Sequence, residues 1–119
     1  MVIVSSPQAL YPLPARSLYA CSKSAVTQLG QCLRMDGRRV TVCYPRWFAS
    51  QLRQRALGEN VNKAAAKKAT GADEVAAKIV RDSLEGKRSS CLGTKDRIVH
   101  IAFVLLGRFA EMGIQKVLK

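Results

Sequence analysis

The stretch VTVCYP at residues 40–45 decides the fold of this 119-residue chain. Its first five residues form an almost uninterrupted apolar and β-branched run, and Pro45 ends it. Runs of this kind are typical of parallel strands that are buried on both faces of a sheet. The sequence therefore predicts a central parallel strand over 40–44, with the rest of the chain packed around it.

Strand and helix patterns alternate on the amino-terminal side of this stretch. The β-branched run at 2–4 predicts a first strand, and the prolines that follow exclude a regular helix before residue 17. A helix is predicted over 18–35, with Ser17 as its N-cap and Gly37 just beyond its end. Its predicted apolar stripe consists of Ala25, Val26, Leu29 and Leu33.

The alternation continues on the carboxyl-terminal side. Residues 70–73 approximate a capping box and predict the start of a second helix, which Gly86 is expected to end. Residues 89–92 predict a short third strand, and an apolar run at 98–107 precedes an amphipathic tail. The order of elements predicts an α/β fold with a parallel sheet and a hydrophobic C-terminal helix.

The composition narrows the class of protein. The chain is 48% hydrophobic and 24% charged, which is typical of a globular domain and excludes a disordered chain. It has 20 Lys and Arg against 8 Asp and Glu, a net charge of +12. An excess of this size points to an anionic partner: a nucleic acid, an anionic membrane surface or a phosphate-bearing ligand.

The cysteines argue against a structural metal site. Cys21, Cys32, Cys43 and Cys91 have no C-x-x-C spacing, and His100 is the single histidine. A zinc site is therefore not expected, and we predict reduced, mostly buried thiols and a structural role for His100. The opening residues MVIVSS lack the basic and long apolar parts of a signal peptide, so none is expected.

Tyr19 and Lys23 are the first candidates for chemistry. They are four residues apart on the predicted helix and therefore share one face. Free tyrosine has a pKa of about 10, and a neighbouring ammonium favours its ionised form. Such a pair can donate and accept a proton. The Y-x-x-x-K spacing alone also fits an ordinary solvated helix face.

The surroundings of this pair resemble the second half of a short-chain dehydrogenase/reductase. In that family a strand ends in Ser-Ser, a proline-containing loop follows, and Y-x-x-S-K opens a long helix. The matching residues here are IVSS at 3–6 and YACSK at 19–23, followed by the strand that ends at Pro45. The resemblance covers residues 2–93 and implies the C-terminal half of a doubly wound, Rossmann-like domain.

The resemblance implies a role for each matching residue. Ser6 would hydrogen-bond the carbonyl oxygen of the substrate, and Tyr19 would give that oxygen its proton. Lys23 would favour the ionised form of Tyr19 and hold the nicotinamide ribose of an NAD(P)H cofactor. Pro45 matches the family's Pro-Gly motif, and Ser50 stands where a cofactor-contacting threonine is usual.

Two departures from the family pattern stand out. Arg46 replaces the glycine after Pro45, which puts close approach of the cofactor in doubt unless Arg46 itself meets a phosphate. No Gly-rich phosphate loop occurs among the 119 residues. We therefore expect residues 1–94 to be the C-terminal half of the domain and 95–119 to be a helical extension. We expect this part alone to be inactive.

A narrower resemblance is to the 3-ketodihydrosphingosine reductases within this family. It rests on SSCLG at 89–93 and IAFVLLGRF at 101–109. It implies NADPH, a long-chain ketone substrate, and a place on the cytoplasmic face of the endoplasmic reticulum membrane. Residues 98–119 would then contact a membrane surface. The alternative for this segment is a dimer interface, since the superfamily is commonly dimeric.

Two other functions stay open. The chain could be a catalytically inactive remnant that acts as an interaction module. It could also be a basic nucleic-acid binder, because arginines and lysines are concentrated over 34–68. The low aromatic content of 6% and the lack of a recognisable nucleic-acid motif argue against the second, so no nucleic-acid partner is predicted.

Overall fold

The predicted central strand lies in the middle of a three-stranded parallel sheet. A computed structural model of the chain describes residues 1–11, 13–46, 48 and 70–106. Strand β2 (Thr41–Cys43) pairs with β1 (Val2–Val4) on one side and with β3 (Ser89–Ser90) on the other. Val42 and Cys43 are fully buried, as expected for a strand that is covered on both faces.

The register of the sheet brings the strand ends together. Val4 pairs with Cys43, and Cys43 pairs with Ser90. Because all three strands are parallel, their carboxyl ends lie at one edge of the sheet, which we call the carboxyl edge. Ser6 and Pro45 follow β1 and β2 at this edge.

Helix α1 (Ser17–Met35) packs closely on one face of the sheet. A Cβ atom at Gly30 would lie 2.6 Å from Cγ2 of Val42 and 3.3 Å from Cδ1 of Ile3. Only glycine permits this approach, because a contact under 3.0 Å forces neighbouring atoms to move. Val40, Val42 and Tyr44 form the apolar core on this face.

Helix α2 (Ala72–Leu84) covers the opposite face. Ser90 is the register partner of Cys43, so its side chain points away from α1, and its Oγ donates to Oδ2 of Asp82 at 2.5 Å. When two successive βαβ connections have the same handedness and proceed in the same direction across a sheet, their helices lie on the same face. The two βαβ units here therefore differ in handedness, an uncommon arrangement.

Glycines end both helices as predicted. Gly37 has φ +78° and Gly86 has φ +72°, the left-handed conformation that glycine adopts without strain. The amide of Lys87 donates to the carbonyl of Asp82 at 2.9 Å. This is the hydrogen bond from the sixth residue to the first that is typical of a Schellman motif. The amide of Arg38 makes the same closure at the end of α1.

The predicted helix starts were wrong. Arg16 is the N-cap of α1, and Ser17 is already helical. Gly71 is the N-cap of α2 and no side chain caps it, so the capping box at 70–73 does not form. Thr70 lies one residue before this N-cap and pairs in a parallel bridge with Phe48.

The apolar stripe of α1 was also wrong in part. The helix buries Ala20, Thr27 and Gly30, whereas Ala25 and Leu29 are exposed. The three buried residues are small, which fits the close approach of the helix at Gly30, and Leu33 of the predicted stripe still packs against the core. The thiols were predicted to be mostly buried, but Cys21 and Cys32 are exposed on α1, whereas Cys43 is buried.

Helix α3 (Thr94–Leu106) begins at the carboxyl edge. Asp96 is buried and His100 half-buried, whereas its exposed large residues include Ile98, Ile101 and Leu105. The helical spacing places these three on one outward face. No helix within the described residues combines the length and the apolar content needed to cross a bilayer.

Candidate active site

Lys23 ties the start of α1 to the end of β1. Its Nζ donates to the carbonyl of Val4 at 3.3 Å and lies 5.8 Å from the centroid of the Tyr19 ring. The two side chains therefore share a helix face, as their spacing predicted. Val4 is two residues before Ser6, so Lys23 and the Tyr19 ring beneath it lie near the strand end that leads to Ser6.

The two adjacent serines have different surroundings. Ser5 faces α1, where its Oγ donates to the Lys23 carbonyl at 2.9 Å and lies 2.7 Å from Oγ1 of Thr27. Ser6 is buried, and its Oγ accepts the amide of Gln8 at 3.3 Å. Accepting this bond leaves the hydroxyl proton of Ser6 able to donate. Ser5 contributes to the packing of α1, and the hydroxyl proton of Ser6 has no acceptor among the described residues.

Pro45 lies where the sequence placed it, half-buried at the end of β2. Ser50, the other predicted cofactor contact, lies outside the described residues. Arg46 directly follows Pro45, and its Nε is 3.7 Å from Oδ2 of Asp96. The arginine side chain is 54% exposed. Asp96 therefore orients the Arg46 side chain, which is still accessible to a ligand.

Asp96 is a polar centre that sequence reasoning missed. Its Oδ1 accepts the hydroxyl of Tyr11 at 2.7 Å, and its Oδ2 accepts the amide of Gly93 at 3.2 Å. The second contact is half of a capping box, in which an acid at the third helical position accepts the N-cap amide. The Gly93–Asp96 spacing could have revealed it. Nothing local could have revealed Tyr11, which is 85 residues away.

Two titratable groups near this edge are held protonated. Burial and the hydrogen bond to Asp96 raise the pKa of Tyr11 to about 12, so its hydroxyl remains a donor. Burial raises the pKa of the Cys43 thiol to about 11. The predicted structural role of His100 agrees with its contact, since its Nδ1 lies 2.8 Å from the carbonyl of Leu10.

The arrangement places a phenol, an ammonium and a buried hydroxyl at the carboxyl ends of parallel strands. Crevices at this edge are where open α/β sheets bind ligands. Within residues 1–11, 13–46, 48 and 70–106, no three potential metal-binding side chains cluster. The chemistry that these side chains offer is proton transfer and hydrogen bonding to an oxygen atom.

Comparison with known proteins adds no identification. No protein-family model, no curated protein and no solved structure matches the chain.

Proposed function

We propose that this chain carries the catalytic residues of an NADPH-dependent short-chain reductase that converts a carbonyl to a hydroxyl. The observation that carries the proposal is the bond from Lys23, which lies over the ring of Tyr19, to the carbonyl of Val4, two residues before Ser6. Helices on both faces of a parallel sheet support a partial Rossmann-like, doubly wound domain.

Each residue has one task in the proposed reaction. The Ser6 hydroxyl donates a hydrogen bond to the substrate carbonyl oxygen and holds it in place. Tyr19 gives that oxygen a proton as its carbon is reduced, and the Lys23 ammonium stabilises the phenolate that remains. NADPH, when bound, supplies the hydride that forms the new C–H bond.

In this proposal, three of the described residues contact one end of such a cofactor. Lys23 and Tyr19 would meet the nicotinamide ribose, and Pro45 would lie beside the nicotinamide. The phosphates need a different element, since the 119 residues contain no Gly-rich phosphate loop. The proposal therefore requires another segment to supply that loop, and these residues alone are expected to be inactive.

The apolar face of α3 supports a lipid substrate. Ile98, Ile101 and Leu105 are exposed on a helix that contacts the segment between Ser6 and Tyr19. We propose a long-chain ketone, 3-ketosphinganine, that reaches the site from the cytoplasmic face of the endoplasmic reticulum membrane. Contact with that surface would run through residues 98–119, and Lys95 and Arg97 are placed to meet headgroups.

The test compares two tyrosine substitutions in the protein as its gene expresses it. Tyr19→Phe is expected to lower the kcat for NADPH-dependent reduction of 3-ketosphinganine about 1000-fold, the usual worth of a general acid. Tyr44→Phe removes the hydroxyl of a buried tyrosine in the apolar core and should change kcat by less than about twofold. Activity retained in Tyr19→Phe would contradict the proposal.

Exposed apolar residues of α1 support a second candidate, an inactive remnant that acts as an interaction module. Leu18 and Met35 are 87% and 88% exposed, and Leu29 is 53% exposed. Such side chains would supply apolar contacts to a protein partner. A folded gene product with no measurable affinity for NADPH would favour this candidate over the reductase.

A further inference from the structure

Asp96 connects three segments that border the carboxyl edge. Its side chain is 1% exposed and contacts the hydroxyl of Tyr11, the amide of Gly93 and, at 3.7 Å, Nε of Arg46. Burying a carboxylate is unfavourable unless hydrogen bonds and a cation compensate. The amide of Gly93 alone would explain a helix cap. The contacts to Tyr11 and Arg46 need a further explanation.

Tyr11 lies between the proposed catalytic residues Ser6 and Tyr19 in the chain. This segment is fixed at successive points. Ser6 caps the short 3₁₀ helix Pro7–Ala9, and Oγ of Ser24 donates to the Ala9 carbonyl at 3.1 Å. The next two points are both held by α3, through His100 to Leu10 and through Asp96 to Tyr11.

Arg46 is the second long-range contact of Asp96. It directly follows Pro45, the residue proposed to lie beside the nicotinamide. Arg46 lies beyond the end of β2, where hydrogen bonds between strands no longer fix the path of the backbone. The carboxylate of Asp96 is therefore a fixed anionic anchor for a turn that carries an otherwise exposed guanidinium.

We propose that Asp96 is a positioning residue of the active site, an inference that rests on the reductase function proposed above. Through Tyr11 it holds the segment between Ser6 and Tyr19, which borders the ketone. Through Arg46 it holds the turn after Pro45, which borders the cofactor. The buried carboxylate of Asp96 thereby aligns the ketone side and the cofactor side of the site, and it connects both sides to α3.

The test uses three substitutions and a matched control in the gene product. Asp96→Asn keeps the size of the side chain and removes its charge. Tyr11→Phe removes only the contact to the ketone side, and Arg46→Gln only the contact to the cofactor side. The control is Asp82→Asn, because Asp82 is also buried but belongs to α2, on the opposite face of the sheet.

Kinetic constants and amide hydrogen exchange are the measurements. Asp96→Asn should lower kcat/KM at least about tenfold, since small misplacements of reacting groups cost 10- to 100-fold. Its amides at Leu10 and Tyr11, which bond to the Pro7 carbonyl, should exchange at least about tenfold faster. Tyr11→Phe should raise KM for the ketone, and Arg46→Gln should raise KM for NADPH.

The control separates positioning from stability. Asp82→Asn should lower the thermal midpoint and leave both KM values and the exchange of Leu10 and Tyr11 unchanged. If Asp96→Asn behaves in the same way, the role of Asp96 is structural and this inference is wrong while the proposed function stands. Absence of turnover in the unmodified protein would instead overturn the proposed function, and the inference with it.

Discussion

The two faces of the sheet are stabilised by different kinds of interaction. On the α1 face, Gly30 lets the helix backbone approach Val42, and the contact is apolar. On the α2 face, the buried carboxylate of Asp82 accepts Ser90 at 2.5 Å, Lys87 at 2.8 Å and Lys78 at 3.0 Å. The same β2 strand therefore has an apolar contact on one side and an ionic network near the other.

The difference has consequences for how each face responds to change. Close apolar packing is sensitive to volume and insensitive to pH. An ionised carboxylate network tolerates changes of volume at its exposed lysines but depends on the charge of Asp82. Steric substitutions should therefore damage the α1 face, and charge removal or acid should damage the α2 face.

The largest effect is expected from Gly30→Val. The new side chain would overlap Val42, whose position in the central strand prevents it from moving away. We expect the free energy of unfolding to fall by about 3 kcal/mol, at the upper end of the usual cost of overpacking. Chemical denaturation measures it. Gln31→Val, at the exposed neighbouring position, is the control, and an equal loss there would show that the contact with Val42 is not responsible.

A smaller loss is expected from Asp82→Ala. It removes an acceptor from the buried hydroxyl of Ser90 but leaves Lys78 and Lys87 about half exposed and hydrated. The expected loss in unfolding free energy is about 2 kcal/mol, the scale of hydrogen bonds to a charged group. Asp73→Ala, on the same helix and exposed, should cost under about 1 kcal/mol. Equal losses at the two positions would mean that the network adds nothing to a surface charge.

The smallest effect is a pH dependence that belongs to the α2 face. The bonds from Lys87 and Ser90 hold the pKa of Asp82 well below its ordinary value. As the pH falls below about 4, Asp82 therefore binds a proton in the unfolded chain before it does so in the folded protein. The stabilisation is present above that pH and is lost as the pH approaches the pKa of Asp82 in the folded protein.

Denaturation of the unmodified protein and of Asp82→Asn at successive pH values measures this dependence. The difference in unfolding free energy between the two proteins should shrink as the pH falls from 6 to 3, because Asp82 binds a proton in the unfolded chain before it does so in the folded protein. A constant difference over this range would show that Asp82 acts by its shape and not by its charge.

The sequence predicted the elements better than their faces. β2, Gly37 and Gly86 could be placed because their signals are local: a β-branched run and glycines beyond helical patterns. The inner face of α1 could not, because its small residues follow from the approach of Gly30 to a strand that is distant in sequence.

The candidate site divides in the same way. Tyr19 and Lys23 were placed on one helix face by their spacing, and the structure brings them together there. Asp96 and Tyr11 were missed, because their contact joins the start of α3 to the loop after β1 across 85 residues. Local patterns reveal the groups that a helix presents, and only the fold reveals the residues that hold them.

The parallel register also sets an order of events during synthesis. Each strand pairing joins residues roughly 40 or more positions apart, Val4 with Cys43 and Cys43 with Ser90. Contacts of such long sequence separation form slowly, whereas α1 can form from neighbouring residues alone. On the ribosome, β2 must therefore wait with one edge unpaired until β3 emerges. At about 5–20 residues per second, that interval lasts several seconds, during which the edge is open to other chains.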